Sequence, residues 1–385
     1  MSIIHKALIL VDARPLAWPG TGNASYLFGM LRELVRSQPD THWLLAAHRG
    51  IHQEFAELLL QPNVEVRIDS SGLNRLGPFW LHWTLPRLIN RLQPNLLWAS
   101  LAALPWRYQK RCPAVPALTN FHDLNAYVAP RTMQRWNRWQ HRFLDHQALV
   151  HSDAVVCLSK TTRSDIQRVF PDITPSKMHV VYPGCEIHGS ESRAPRSIAH
   201  LKHFFLCVGT IEPRKNQITV LTAWLSAKAA QNELIPLVFV GRRGWGETSV
   251  YDRLHSGALQ AEGVYFIEGA SQAELSWCYS KCSMVILPSL HEGFGLPVIE
   301  AYSYGKPCIL SDIPIFREVG SKSSFVSPLD ANAWQATLTA KSRQIQSGKN
   351  RQPAFNSKTW SWKKKAAELG GILASVARPA DKDLD

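Results

Sequence analysis

Short apolar runs alternate with amphipathic stretches from one end of the chain to the other. In the first half the runs are Ala7 to Val11, Trp43 to Ala46, Val64 to Arg67, Leu96 to Trp98, Ala117 to Thr119 and Ala154 to Leu158. In the second they are Phe204 to Val208, Leu237 to Val240, Val264 to Ile267, Met284 to Leu287 and Cys308 to Leu310. Runs this continuous read as strands buried on both faces, with the helical segments between them as cover, so the pattern predicts α/β architecture with parallel sheets. One series in each half predicts two such domains. Between them, residues 184–201 carry Gly189, Ser190, Ser192, Pro195 and Ser197 and little periodicity, the composition of a linker or exposed loop. The expected division is a first domain over 1–185, a linker over 186–202 and a second domain over 203–358. Thr359-Trp360-Ser361-Trp362 then opens a helix, expected over 359–377 and to cross back to the first domain, and 378–385 reads as a disordered tail.

Length agrees with the division, since 385 residues exceed what one core organises and cores stop growing near about 250–300 residues. Hydrophobic residues at 45% and charged residues at 19% exclude wholesale disorder. No run approaches the roughly 18 apolar residues of a spanning helix, and Ala7 to Val11, set between Lys6 and Asp12, is too short for a signal-peptide core. A cytoplasmic chain without a membrane span is expected. The seven cysteines are odd in number and scattered, and the close pair Cys278 and Cys282 has no second pair or histidine nearby. Core packing is expected there, with neither a disulfide framework nor a zinc site. A net charge of +13 points to acidic partners: nucleotide phosphates, anionic lipid headgroups or nucleic acid. With 20 basic against 13 acidic residues up to Ser190, and 23 against 17 beyond, both halves share the excess. Nucleic acid would need a localised basic face, and no such module is readable.

Three segments carry candidate chemistry. After the first strand come Gly20-Thr21-Gly22 and a helix with Leu27, Met30, Leu31, Leu34 and Val35 on one face. Glycines there let backbone approach a diphosphate at a helix start. A nicotinamide cofactor is disfavoured, because a dehydrogenase fingerprint needs glycine where Ser25 stands and a tight turn directly after the strand. A plain βα turn remains the other reading of this loop. After Phe204 to Val208, Arg214 and Lys215 place two cations at a strand's carboxyl end, where they could neutralise a diphosphate or form a solvated pair. Third, the run from Glu292 to Glu300 sets Gly293, Phe294 and Gly295 before a helix with Pro297 in its first turn. Its amides suit phosphate, and its two carboxylates suit paired sugar hydroxyls rather than phosphate.

Together these segments resemble retaining glycosyltransferases of family 4, which have the GT-B fold. Glu292 to Glu300 resembles that family's Glu-x7-Glu signature, and Gly209 to Asn216 its phosphate-binding turn. Gly241 to Gly246, Asp312 to Gly320 and His122-Asp123 also resemble family segments. The resemblance implies two Rossmann-like domains facing across a cleft. Glu300 would bind the donor ribose, Glu292 the donor sugar, and Phe294, Gly295 and Leu296 would offer amides. Arg214 and Lys215 would hold the diphosphate, with Gly22 approaching from the other domain. His122 beside the anomeric carbon, Asp123 and Glu292 are the implied catalytic set. The subgroup resembled makes bacterial O-antigen and related polysaccharides, implying a metal-independent mannosyl- or rhamnosyltransferase that needs no cofactor. GDP-mannose is the implied donor and a polyprenyl-linked glycan the implied acceptor. UDP- and dTDP-sugar transferases, and a nucleotide-sugar epimerase, remain as alternatives. The sequence departs from the family at Thr210, where arginine is common, at Tyr182 to Cys185, which lacks the usual Asn, and at Tyr302 and Tyr304.

Within 131–143, Trp136, Trp139 and Phe143 alternate with Arg131, Arg135, Arg138 and Arg142. Such a helix could lie on an anionic membrane, here the cytoplasmic face of the inner membrane, or could bury Trp136 and Phe143 in a core with arginines snorkelling outward. The only Asp-x-Asp pairs fall at Asp381 to Asp385, in the expected tail, so no metal is implied.

Overall fold

The computed structural model describes residues 7–185, 192–230, 234–246, 248–349 and 359–379. The first sheet comprises β1 (Leu8–Asp12), β2 (His42–Ala47), β3 (Val64–Ile68), β4 (Leu96–Ala99), β5 (Ala117–Phe121), β6 (Ala154–Cys157) and β7 (Met178–Val180). Its order is β3-β2-β1-β4-β5-β6-β7. The second comprises β8 (Phe205–Val208), β9 (Leu237–Gly241), β10 (Val264–Glu268), β11 (Met284–Leu287), β12 (Cys308–Ser311) and β13 (Ser324–Val326), ordered β10-β9-β8-β11-β12-β13. Every pairing is parallel. In both sheets the chain begins in the middle, works outward on one side and then crosses to the other. The order therefore reverses between β1 and β4, and again between β8 and β11, and crevices at such reversals are where open α/β sheets bind ligands.

Burial explains which strands the apolar pattern reveals. Central β4 and β11, Leu-Leu-Trp-Ala and Met-Val-Ile-Leu, are buried at every position. Edge strand β3, Val-Glu-Val-Arg-Ile, is buried at none, with charges that blunt an unpaired edge. β7 and β13, which the apolar pattern does not reveal, are three-residue edge strands reading Met-His-Val and Ser-Phe-Val. Six of the seven cysteines are buried thiols, Cys278 and Cys282 among them, as small core residues are.

The described chain forms two compact bodies. The first holds residues 7–124, 139–184 and 359–379, and the second holds 125–138 and 185–349. Part of the expected exposed linker is instead built in: Ile198 is fully buried, and the Arg193 amide donates to the Ala273 carbonyl at 3.1 Å. The remainder, residues 186–191, lies outside the described residues. The expected tail is likewise ordered at its start, because the Arg378 amide donates to the Asn95 carbonyl at 3.0 Å and Asn95 Nδ2 holds the Arg378 carbonyl at 3.1 Å. Residues 380–385 lie outside the description.

In the first body the helix Gly22–Ser37 is capped by Thr21, whose hydroxyl accepts from the Ala24 amide, and it buries Leu27, Met30, Leu31, Leu34 and Val35. The helix Trp362–Val376 packs on it. Trp362 lies so close to Gly29 and Gly184 that a Cβ at either would fall 2.6 Å from it, so this slot exists only because both residues lack side chains. In the helix Arg135–His151, Trp139 and Phe143 are 62% and 51% exposed and their rings stack 6.3 Å apart. The core alternative therefore fails for Phe143, while the side chains of Arg135 and Trp136 lie outside the description. Among the described residues no helix is long and apolar enough to cross a membrane.

Candidate functional site

At the reversal of the second sheet, the loops after β8 and β11 are stitched together by backbone. Gly209, at φ 143°, takes a conformation that L residues avoid and turns the chain into the single 3-10 turn Pro213–Lys215. Asn216 follows in the left-handed region, and its Nδ2 donates to the Pro288 carbonyl at 3.0 Å. The Leu290 amide donates to the Arg214 carbonyl at 2.8 Å.

This stitching delivers two cations to one carboxylate. Arg214 Nη1 donates to Glu292 Oε2 at 2.6 Å, and Lys215 Nζ to Glu292 Oε1 at 2.5 Å. Ser289 Oγ adds a bond to Oε1 at 2.7 Å, and Arg214 Nη2 reaches Glu212 at 2.7 Å. Burial by itself would push the Glu292 carboxyl up, but the charges of Lys215 and Arg214 outweigh it and lower it to about 2. Glu292 is thus a buried acceptor that stays ionised at neutral pH. An ammonium has three donors, so Lys215 keeps N–H groups for a further anion after serving Glu292.

Gly295 starts the helix Leu296–Ser303 from the left-handed region, at φ 87°. A Cβ there would lie 2.8 Å from the Phe316 ring, so position 295 excludes a side chain on both counts. The first-turn amides of such a helix have no acceptor within it, and Phe294, Gly295 and Leu296 stand at that end. Glu300, one turn further, accepts from the Tyr279 hydroxyl at 2.6 Å. Tyr279 is buried and stacks on Tyr304, their centroids 5.5 Å apart. Burial first, then the Glu300 charge, raise the Tyr279 hydroxyl well above its ordinary value, so it stays protonated and donating. Tyr304, one of the departures from the family pattern, thereby fixes the partner of Glu300.

The first body carries Gly22, His122 and Asp123. Gly22 is the first residue of its helix, and a Cβ there would meet nothing within 4 Å, so its backbone is openly approachable. His122 follows β5, with Nε2 2.9 Å from the Ser100 carbonyl. A carbonyl only accepts, so the proton sits on Nε2 and the lone pair on Nδ1. Burial lowers the His122 pKa, against the smaller pulls of the Ser100 carbonyl and Asp123, keeping the ring neutral. Tyr26 holds it edge-on at 5.3 Å. The Tyr26 hydroxyl accepts from Asn120 Nδ2 at 2.8 Å, and Asn120 Oδ1 from Trp98 Nε1 at 2.6 Å.

Each body thus gathers its own set, with Arg214, Lys215, Glu292, Phe294, Gly295, Leu296 and Glu300 in the second. Sequence reasoning overlooks Glu212, Ser289, Tyr279 and Tyr26. Glu212 and Ser289 are visible beside the motifs. Tyr279 and Tyr26 meet their partners across long sequence separations, with no local signal.

Residues 21–188 match the family model described as Glycosyltransferase Family 4, and residues 190–338 the model described as Glycosyl transferases group 1. The chain is similar to O-antigen chain mannosyltransferase B of Escherichia coli, 26% identical over 235 residues, covering 58% of this chain and 60% of that protein. It therefore spans about three-fifths of that relative's length. It is also similar to the D-inositol 3-phosphate glycosyltransferase of Mycobacterium marinum, 24% identical over 420 residues that cover 97% of this chain and 85% of that one. Among solved structures its fold resembles Anabaena HepE in complex with UDP-glucose, with a TM-score of 0.69 and 16% identity over 96% of this chain and 100% of that one.

Proposed function

The chain joins a family 4 glycosyltransferase domain to a group 1 glycosyltransferase domain in the GT-B fold, and from that premise we propose that it is a retaining, metal-independent hexosyltransferase. Its donor is a nucleotide diphosphate sugar, and its acceptor a lipid-linked glycan of bacterial surface polysaccharide. The observation that carries this reading is Glu292, a buried carboxylate kept ionised between Arg214 and Lys215 at a sheet reversal. An incoming diphosphate takes over part of the cations' bonding and frees carboxylate lone pairs for sugar hydroxyls. The helix-start amides at Phe294, Gly295 and Leu296 add donors for the diphosphate, and Glu300, oriented by Tyr279, takes the ribose. Gly22 of the first body offers open backbone at the start of its own helix. The stacked, exposed Trp139 and Phe143 support peripheral contact with an anionic membrane on its cytoplasmic face.

Similarity to an O-antigen chain mannosyltransferase supports GDP-mannose as the donor. The UDP-glucose complex of HepE keeps a UDP-sugar as the second reading. Thermal-shift measurements against GDP-, UDP- and dTDP-sugars separate them, because a ligand stabilises in proportion to RT ln(1 + [L]/Kd). GDP-mannose should raise Tm most. Stabilisation by a UDP- or dTDP-sugar and none by GDP-mannose would overturn the donor assignment.

His122, neutral with its lone pair on Nδ1, is proposed to act at the reacting sugar, supported by Asp123. His122→Ala should lower kcat by roughly 10–150-fold, the worth of one hydrogen bond to a charged group, with donor affinity little changed. Wild-type turnover in that variant would remove His122 from the mechanism.

A further inference from the structure

The reversal point of the first sheet holds a second collection of charge that the donor reading leaves unused. β1 ends at Asp12, which is fully buried, and Arg14 turns back to place Nε and Nη2 on its carboxylate at 2.9 and 2.7 Å. Ser100, just past β4, donates to the Asp12 carbonyl at 2.5 Å. Arg14 therefore stands where β1 and β4 part, as Arg214 does where β8 and β11 part. Among the described residues Nη1 of Arg14 has no acceptor. Its guanidinium lies 5.6 Å over Trp80, whose ring is 6.2 Å from that of His48, just past the end of β2.

His48 is 8% exposed, and its Nδ1 is buried without a hydrogen-bond partner. Burial, then the charges of Arg14 and Arg49, lower its pKa, with Asp12 alone pulling the other way. His82 is likewise lowered by burial, Arg14 and Arg111. Arg49 extends over exposed Trp18, 4.9 Å from the ring. Arg14 and Arg49 thus act on His48, Arg14 and Arg111 act on His82, and Asp12, the one carboxylate acting on His48, occupies only two nitrogens of Arg14. The neighbouring stretch, residues 70–122, contains six Arg or Lys and no Asp or Glu. Leu73, Leu76, Trp83 and Trp106 within it are exposed.

We infer that this corner of the first body, centred on Arg14, His48 and Arg49, binds a phosphate or diphosphate group of the acceptor, with the exposed Leu76 and Trp83 face receiving an apolar chain attached to it. The inference rests on the proposed function: with the donor residues gathered in the second body, the acceptor falls to the first. Planar guanidinium forks match phosphate oxygens two at a time, and a bound dianion supplies the negative charge that the cluster lacks. An uncharged sugar would use none of this. Binding also gives the orphaned imidazole a reason to protonate, since the dianion favours its charged form.

The experiment follows the His48 ring by NMR in the full chain, titrated with pH in the presence and absence of inorganic diphosphate. The His48 midpoint should rise by about one pH unit or more at millimolar diphosphate. Arg49→Gln, which removes no described hydrogen bond, should raise the diphosphate concentration needed by about tenfold or more. An unmoved midpoint in wild-type protein, or an equal response in Arg49→Gln, would overturn the inference. Farnesyl diphosphate distinguishes the sources: action at about tenfold lower concentration than inorganic diphosphate assigns a lipid-linked acceptor, and action at the same concentration a water-soluble phosphorylated one. Stabilisation by nucleotide sugar, measured on the same two proteins, reports the donor reading separately. Its loss in wild-type protein with His48 still responding would sink that reading and leave this site standing.

Discussion

Glu292→Gln should lower kcat by about a hundredfold to a thousandfold while changing nucleotide affinity far less. The substitution keeps size and removes charge. Arg214 and Lys215, both less than a fifth exposed, lose the anion they share and the amide oxygen returns only a neutral bond. The proposed sugar contact weakens where charge develops during transfer, so the loss appears mainly in turnover. Steady-state kinetics and nucleotide titration calorimetry measure the two quantities, and equal loss in both would merge the roles of sugar and diphosphate binding. A stability readout accompanies it. The folded-state carboxyl is depressed from 4.5 to about 2, so its contribution is complete above pH 4.5 and disappears as pH falls through about 2. That contribution is on the order of 3 kcal/mol, and Glu292→Gln should lack the corresponding loss of Tm between those two pH values.

Glu300→Gln should do the reverse, weakening nucleotide affinity by roughly 10–150-fold, the worth of 1.5–3 kcal/mol for a charged hydrogen bond, with kcat for bound donor nearly intact. Tyr279→Phe should give a smaller loss of the same kind, because it removes the hydroxyl that aims the carboxylate and leaves the carboxylate itself. Binding of a nucleotide diphosphate without its sugar isolates the effect. Undiminished affinity in Glu300→Gln would take the ribose role away from this residue.

How much of this is legible in sequence differs by element. Central strands such as β4 and β11 show themselves because burial on both faces demands unbroken apolar runs. β7 and β13 do not, since three residues at a sheet edge need no such run. The charged cluster is half legible. Arg214, Lys215 and Glu292 can be named from their places after strands, yet their direct pairing depends on the backbone bonds from Asn216 and Leu290 that bring the loops together. Tyr279 cannot be named at all, because its hydroxyl meets Glu300 only after the helix Gln272–Lys281 has packed, and nothing local marks it. Gly29 and Gly184 are similar: each looks like an ordinary glycine until Trp362 is seen against both.

That tryptophan also sets an order of events during synthesis. The second body draws its described residues from 125–138 and 185–349, so all its strands have been synthesised before residue 362 is made. The first body supplies the earliest strands but needs Trp362 to fill the slot at Gly29 and Gly184 and to brace Tyr26, 6.4 Å away, behind His122. Nascent domains usually mature from the amino terminus onward. Here the body begun first is finished last, and a chain released before Trp362 would hold every proposed donor residue while the support of His122 remained incomplete.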